Sequence, residues 1–190
     1  MKKWLLIIAF VLSAAICAAG CGSGSGAGSG ADAGGKGAGS GAGSKQYLEL
    51  INKIEVGDSL EKINEIIGAE GEAESDNATY TWDIDGGGGF SAIFRANDTS
   101  AALSVKLLYN DKDVADNKVV VKNLDDLKAK VSEGINYDDF KEIMGGVDGI
   151  LISKNSVAKG YVWRNAKGSV VNASFTLDDN MCNNFVGTEK

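Results

Sequence analysis

The sequence contains no histidine. Histidine is the side chain best placed for proton transfer near neutral pH, so its absence removes Ser-His and Cys-His nucleophile pairs and the histidine-containing zinc sets. Cysteine is scarce: Cys17 and Cys21 stand near the start, and Cys182 is the only one in the remainder of the chain. A lone cysteine there allows no internal disulfide, and without a base beside it Cys182 reads as a small buried residue. Positive charge is also short, with 17 basic residues against 26 acidic once Lys2 and Lys3 are set aside, a formal charge of −9. No basic stripe offsets it locally, which argues against nucleic acid as a partner and against adhesion to anionic lipid heads. The glycines at 86–89 close a hairpin and lack a following helix, so they are no dinucleotide fingerprint. Asp111, Asp113 and Asp116 fit neither a calcium loop nor a catalytic carboxylate pair and read as a solvated loop. What remains for catalysis is carboxylate chemistry alone. The sequence is therefore read as non-enzymatic, with no catalytic residue, cofactor or metal ligand.

A membrane-spanning run is missing as well. Lys2 and Lys3 precede apolar residues from Trp4 to Ile16, a stretch too short to span and soon followed by Ala18-Ala19-Gly20-Cys21. That is a secretory signal, residues 1–20, and it resembles a bacterial lipoprotein signal. The resemblance implies that Cys21 is acylated, becomes the mature N-terminus and holds the protein in membrane lipid, facing outside the cytoplasm. Ala18 departs from the leucine usual at that place, and Cys17 is a poorer site because bulky Ile16 would stand before it. Residues 22–44 are Gly, Ser and Ala apart from Asp32 and Lys36. Such a stretch cannot build a core and serves as a tether with a root-mean-square span of about 25 to 30 Å.

Beyond the tether, one pattern is written twice. Gly57 to Gly68 and Gly134 to Gly145 each span eleven positions, Tyr80-Thr81-Trp82 is matched by Tyr161-Val162-Trp163, and Phe94 and Phe175 each follow their tryptophan by twelve. Such recurrence describes a duplicated unit. In the first copy, Tyr47, Leu48, Leu50, Ile51 and Ile54 have helical spacing. Ser59, or Asp58 with Glu61, can cap a second helix carrying Leu60, Ile63, Ile66 and Ile67, which Gly68 ends. In the second copy, Leu124, Leu127 and Val131 mark one helix; Asn136 caps another bearing Phe140, Ile143 and Met144. Strands follow at 79–84, 90–94 and 102–109, then at 160–164 and 169–177. The long interval from Gly145 to Tyr161 predicts a larger loop or a longer strand in the second copy. Boundaries at 45–116 and 117–190 are expected, each part carrying two short helices packed on its own antiparallel sheet, an α+β class.

These residues resemble the family of the beta-lactamase inhibitory proteins and the small outer-membrane-assembly lipoproteins. The matching stretches are Gly57-Asp58-Ser59-Leu60-Glu61-Lys62-Ile63, Tyr80-Thr81-Trp82, Phe90-Ser91-Ala92-Ile93-Phe94, Gly134-Ile135-Asn136-Tyr137 and Tyr161-Val162-Trp163. Uncharacterised lipoproteins of Gram-positive bacteria carry similar domains. The resemblance implies paired helices on one side of a sheet, and in the inhibitory proteins a concave sheet surface made by two tandem units that grips an enzyme. The chain departs from the pattern at Asp58, where an apolar residue is usual, and in lacking the disulfide that staples each inhibitory unit.

The function expected is a lipid-anchored adaptor that binds an unidentified envelope or secreted protein. The alternative is an inhibitor of a secreted enzyme such as a beta-lactamase. Trp82 and Trp163 are expected in the core, with the partner on the sheet face away from the helices. The candidate binding residues there are Thr79, Thr81, Asp83 and Arg95 in the first unit and Val162, Arg164, Asn172 and Ser174 in the second.

Overall fold

The computed structural model of the chain describes residues 46–84 and 87–190. The expected signal, the expected acylation site Cys21, the expected tether, and Asp85 and Gly86 lie outside the described residues. The elements run α1 (Tyr47–Lys53), α2 (Leu60–Ile67), β1 (Glu72–Ala73), β2 (Thr79–Ile84), β3 (Gly88–Ile93) and β4 (Ser104–Leu108), followed by α3 (Leu124–Glu133), α4 (Tyr137–Ile143), β5 (Ile150–Asn155), β6 (Ala158–Arg164), β7 (Val170–Thr176) and β8 (Cys182–Thr188).

Helix boundaries follow local chemistry. Ser59 accepts the Lys62 N–H at 3.2 Å and starts α2; Asn136 accepts the Asp139 N–H at 2.9 Å and starts α4. Gly68 ends α2 in the left-handed region at φ 79°. Asp58, the other cap considered, instead accepts the Glu55 N–H at 2.7 Å.

The sheets are not two. All eight strands form one antiparallel sheet in sequence order, so the expectation of two tandem units, each with its own sheet, is overturned. The seam is β4 against β5, with Ser104 opposite Asn155, Val105 opposite Lys154 and Lys106 opposite Ser153. Separate four-stranded sheets would each have left an edge of unpaired N–H and C=O groups, and edge-to-edge pairing satisfies them. The helices do not keep to separate sheets either. Helix α1 lies against both β4 and β5, and the buried cluster around Ile51, Trp82, Phe90 and Leu107 extends to Leu151 and Val162 beyond the seam. The second cluster gathers Leu127, Phe140, Met144, Trp163, Val171 and Phe175. The 145–161 interval holds the six-residue β5, against two residues for β1.

Both tryptophans are buried, and each rests on a glycine that periodicity did not single out. A Cβ on Gly71 would stand 2.6 Å from the Trp82 ring, and one on Gly149 would stand 2.6 Å from the Trp163 ring. The indole N–H groups donate to Asn64 Oδ1 at 2.9 Å and to the Val147 carbonyl at 2.8 Å. A flat ring held by packing and a hydrogen bond cannot swing aside. Gly71→Ala and Gly149→Ala should each lower unfolding free energy by about 1 to 3 kcal/mol in denaturant titrations, the usual cost of overpacking.

The second cluster is the more aromatic. Tyr137 touches Tyr161, Trp163 and Phe175 with ring centroids 4.8, 5.9 and 5.2 Å away. Its hydroxyl accepts the Gly149 N–H at 3.1 Å and lies 3.4 Å from Asp148 Oδ1. Burial, opposed by the Gly149 N–H and aided by the nearby Asp148 carboxylate, pushes the Tyr137 phenol up to about 12. Burial likewise raises Tyr47, Tyr109 and Tyr161. In the unfolded chain a tyrosine titrates near about 10. The stability that depends on neutral phenols is therefore complete below that pH and is lost as pH rises toward 12. Melting temperatures measured from pH 8 to 12 should fall steeply above about 10, and Tyr137→Phe should flatten that fall.

Candidate functional site: the polar face of the sheet

In an antiparallel sheet, residues directly opposite one another project from the same face. Following the register strand by strand, Glu72 stands opposite Thr81, then come Ser91, Lys106, Ser153, Gly160, Ser174 and Asn184. This single row crosses all eight strands and contains no large apolar side chain. The neighbouring row on the other face is Ala92, Val105, Lys154, Lys159 and Phe175. There Lys154, 5 % exposed, pairs with Glu55 Oε1 at 3.4 Å at the end of α1.

The polar row brings together part of the set expected from sequence. Thr81 and Ser174 lie in it, and Thr79 and Asp83 flank it on β2. The threonine hydroxyls are turned to local acids: Thr79 Oγ1 donates to Asp76 Oδ2 at 2.7 Å and Thr81 Oγ1 to Glu74 Oε1 at 3.4 Å. N–H donation from Ala78 and then Thr79, with the Thr79 hydroxyl, holds the Asp76 carboxyl below its ordinary range. Asp83 is exposed. Arg95 is exposed too, but it lies past the end of β3 in a turn bridged to Asp98.

The rest of the second-half set is engaged by the chain itself. Val162 is 1 % exposed and belongs to the core, so it is not a surface contact. The segment 109–116 crosses close to it. The Tyr109 hydroxyl donates to Asn172 Oδ1 at 3.4 Å, Ala115 bridges to Arg164, and the Asp116 N–H donates to the Arg164 carbonyl at 2.9 Å. The Arg164 guanidinium is ion-paired with Asp111 at 2.5 Å. Asp113 is buried, accepting the Tyr47 hydroxyl at 2.9 Å and the Asn110 amide at 3.3 Å. The loop of Asp111, Asp113 and Asp116, read from sequence as solvated, is thus a strap fixing α1 to β6 and β7. Asp111 and Asp113 have partners far along the chain, which no local pattern reveals, whereas the Asp116 carboxylate accepts the nearby Lys118 N–H.

Three contributors escaped the sequence reading. Lys106, at the seam, is exposed and is the only cation of the polar row. Ile93 and Leu108, 45 % and 38 % exposed, flank it on the same face, since Ser104 and Gly89 are their register partners. The alternation along β3 and β4 would have exposed them as outward apolar residues. Together they make a cation between two apolar side chains, amid hydroxyls and amides.

Cys182 is buried, its thiol is pushed up to about 11 by burial, and it donates weakly to the Asn184 carbonyl. Such a thiol is a poor nucleophile. Among the described residues no helix is long and apolar enough to cross a membrane, and no group of three or more acidic or cysteine side chains is placed to share a metal ion. Comparison with protein-family models and with curated proteins finds no match.

Proposed function

We propose that this chain is a lipid-anchored, non-enzymatic binding protein that works outside the cytoplasm and takes a protein partner on the polar face of its sheet. The observation that supports this is the uninterrupted row from Glu72 to Asn184. A sheet face carrying this row of small polar side chains, with Lys106, Ile93 and Leu108 at its middle, offers a wide, rigid surface. From β2 to β7 the face spans about 24 Å, given strand spacings near 4.8 Å, which suits a standard-size protein interface of mixed polarity. Acylation of Cys21 would hold that face near a membrane through the tether.

A pull-down from detergent-solubilised envelope, with the full chain as bait, tests the reading. Lys106→Glu reverses the only cation of the row at an exposed position, so capture should drop at least tenfold while the melting temperature stays within a degree or two. Arg164→Glu should behave oppositely to a pure contact residue, lowering melting because it unfastens Asp111 and the strap. Unchanged capture by Lys106→Glu would remove the polar face as the binding site.

A further inference from the structure

Val162 is only 1 % exposed although it stands on the side of the sheet away from the helices. Ile150 lies opposite it on β5 and Asn172 on β7. These residues alternate along their strands with Trp163 and Val171, which belong to the helix-side core. The cover over Val162 is the strap. Tyr109 packs against the cluster that holds Val162, as do Ile150 and Val170, and its hydroxyl reaches Asn172 Oδ1 at 3.4 Å. Trp82, Phe90, Tyr161, Trp163 and Phe175 all belong to the helix side. Among the described residues of sheet and strap, Tyr109 therefore carries the one aromatic ring on the polar face.

That ring is held in place by the fold itself. Past Tyr109, the Asp111 carboxylate pairs with Arg164 at 2.5 Å, Asp113 is buried on the Tyr47 hydroxyl, and the Asp116 N–H donates to the Arg164 carbonyl at 2.9 Å. A half-buried tyrosine fixed in this way has already lost the rotamer freedom that an interface side chain gives up on binding. Next to it Leu108 is 38 % exposed, and Lys106 lies on the same face of β4, about 7 Å from Leu108 by the rise of two strand residues. A rigid aromatic ring beside an aliphatic side chain is where the energy of an interface concentrates. The chemistry of the partner follows from this grouping: something apolar for the Tyr109 ring and Leu108, and an anion for Lys106, the only cation of the polar row. We propose that the binding surface runs from the polar row onto the strap, with Tyr109 as its aromatic anchor, and that it takes a protein presenting an apolar side chain beside a carboxylate. This inference rests on the reading that the polar face binds a protein.

Two substitutions at one position separate an anchor from a mere cover. Tyr109→Leu keeps an apolar side chain over Val162 but removes the ring, whereas Tyr109→Phe keeps the ring and removes only the hydroxyl. In the pull-down with the full chain as bait, Tyr109→Leu should capture at least fivefold less than the wild type, and Tyr109→Phe should stay within twofold. Leu108→Glu, at an exposed position, serves whether or not the Tyr109→Leu variant folds well. It sets like charge against the partner's carboxylate and should lower capture at least fivefold with melting unchanged. Salt gives a further readout: the deficit of Lys106→Glu should shrink as ionic strength rises, because charge contacts are screened, while the deficit of Tyr109→Leu persists. Normal capture by Tyr109→Leu and Leu108→Glu, with Lys106→Glu impaired, would overturn the anchor and leave the polar-face reading standing. Normal capture by all three would remove both. A Tyr109→Phe loss as large as that of Tyr109→Leu would assign the effect to the hydroxyl and its Asn172 contact, which also overturns the proposal.

Discussion

Replacing Cys21 with serine should move the protein from the membrane fraction to the soluble fraction almost completely. The expectation rests on two independent features of the sequence. Lys2-Lys3, the short apolar run and Ala18-Ala19-Gly20-Cys21 resemble a lipoprotein-type signal. The chain beyond it carries a formal charge of −9, which gives the folded part no electrostatic hold on an anionic surface. No helix among the described residues is long and apolar enough to cross a membrane. Fractionation of cells expressing the wild type and Cys21→Ser checks this. A wild-type protein found wholly in the soluble fraction would refute acylation at Cys21.

The second large effect is expected in the core. Phe140 is fully buried between Trp163 and Phe175, its ring 5.1 and 5.4 Å from theirs, and it fastens α4 to β6 and β7. Helices of seven residues have little stability of their own, so α4 depends on that contact. Phe140→Ala removes buried ring contacts and leaves a cavity in a cluster of rigid aromatic rings that cannot collapse into it. The expected loss is about 3 to 5 kcal/mol, a large fraction of the stability of an ordinary domain. Urea unfolding followed by tryptophan emission would measure it. A loss below about 1 kcal/mol would mean that the cluster is looser than its ring geometry implies.

Local signals in the sequence led to the right local structures. Ser59, Gly68 and Asn136 act within one helical turn, so their caps could be read directly, and the alternation around Trp82 and Trp163 put both rings inside. Non-local pairings were not legible. The seam joins Ser104 and Lys106 to Asn155 and Ser153, small or charged residues about fifty positions apart, with no hydrophobic pattern to mark them as partners. The repeat itself encouraged the wrong division, because similar halves suggest similar independent sheets, whereas the bare edges of β4 and β5 are best satisfied by each other. β8 was missed because Asn183, Asn184 and Gly187 have weak strand preference and the strand is specified by its pairing with β7. The candidate site suffered from the same limit. Thr81 and Ser174 could be placed on the polar face from alternation alone. Val162 alternates just as correctly, but the strap from Tyr109 to Asp116 runs beside it and the core closes over it. Lys106 lay at the centre of the face but was invisible while the sheet was divided there.

That continuity across the seam is the centre of the account, and one comparison tests it most directly. Thr81→Arg lies in the half before the seam and Ser174→Arg in the half after it, both in the same register row and both half-buried rather than core. Lys128→Glu, exposed on α3, serves as the control on the helix side. Capture of envelope protein by the full chain should fall at least tenfold for each of the two sheet variants and stay unchanged for the control, with folding checked by melting temperature in every case. Loss of capture in the helix variant with both sheet variants binding normally would contradict the account and place the partner on the helices.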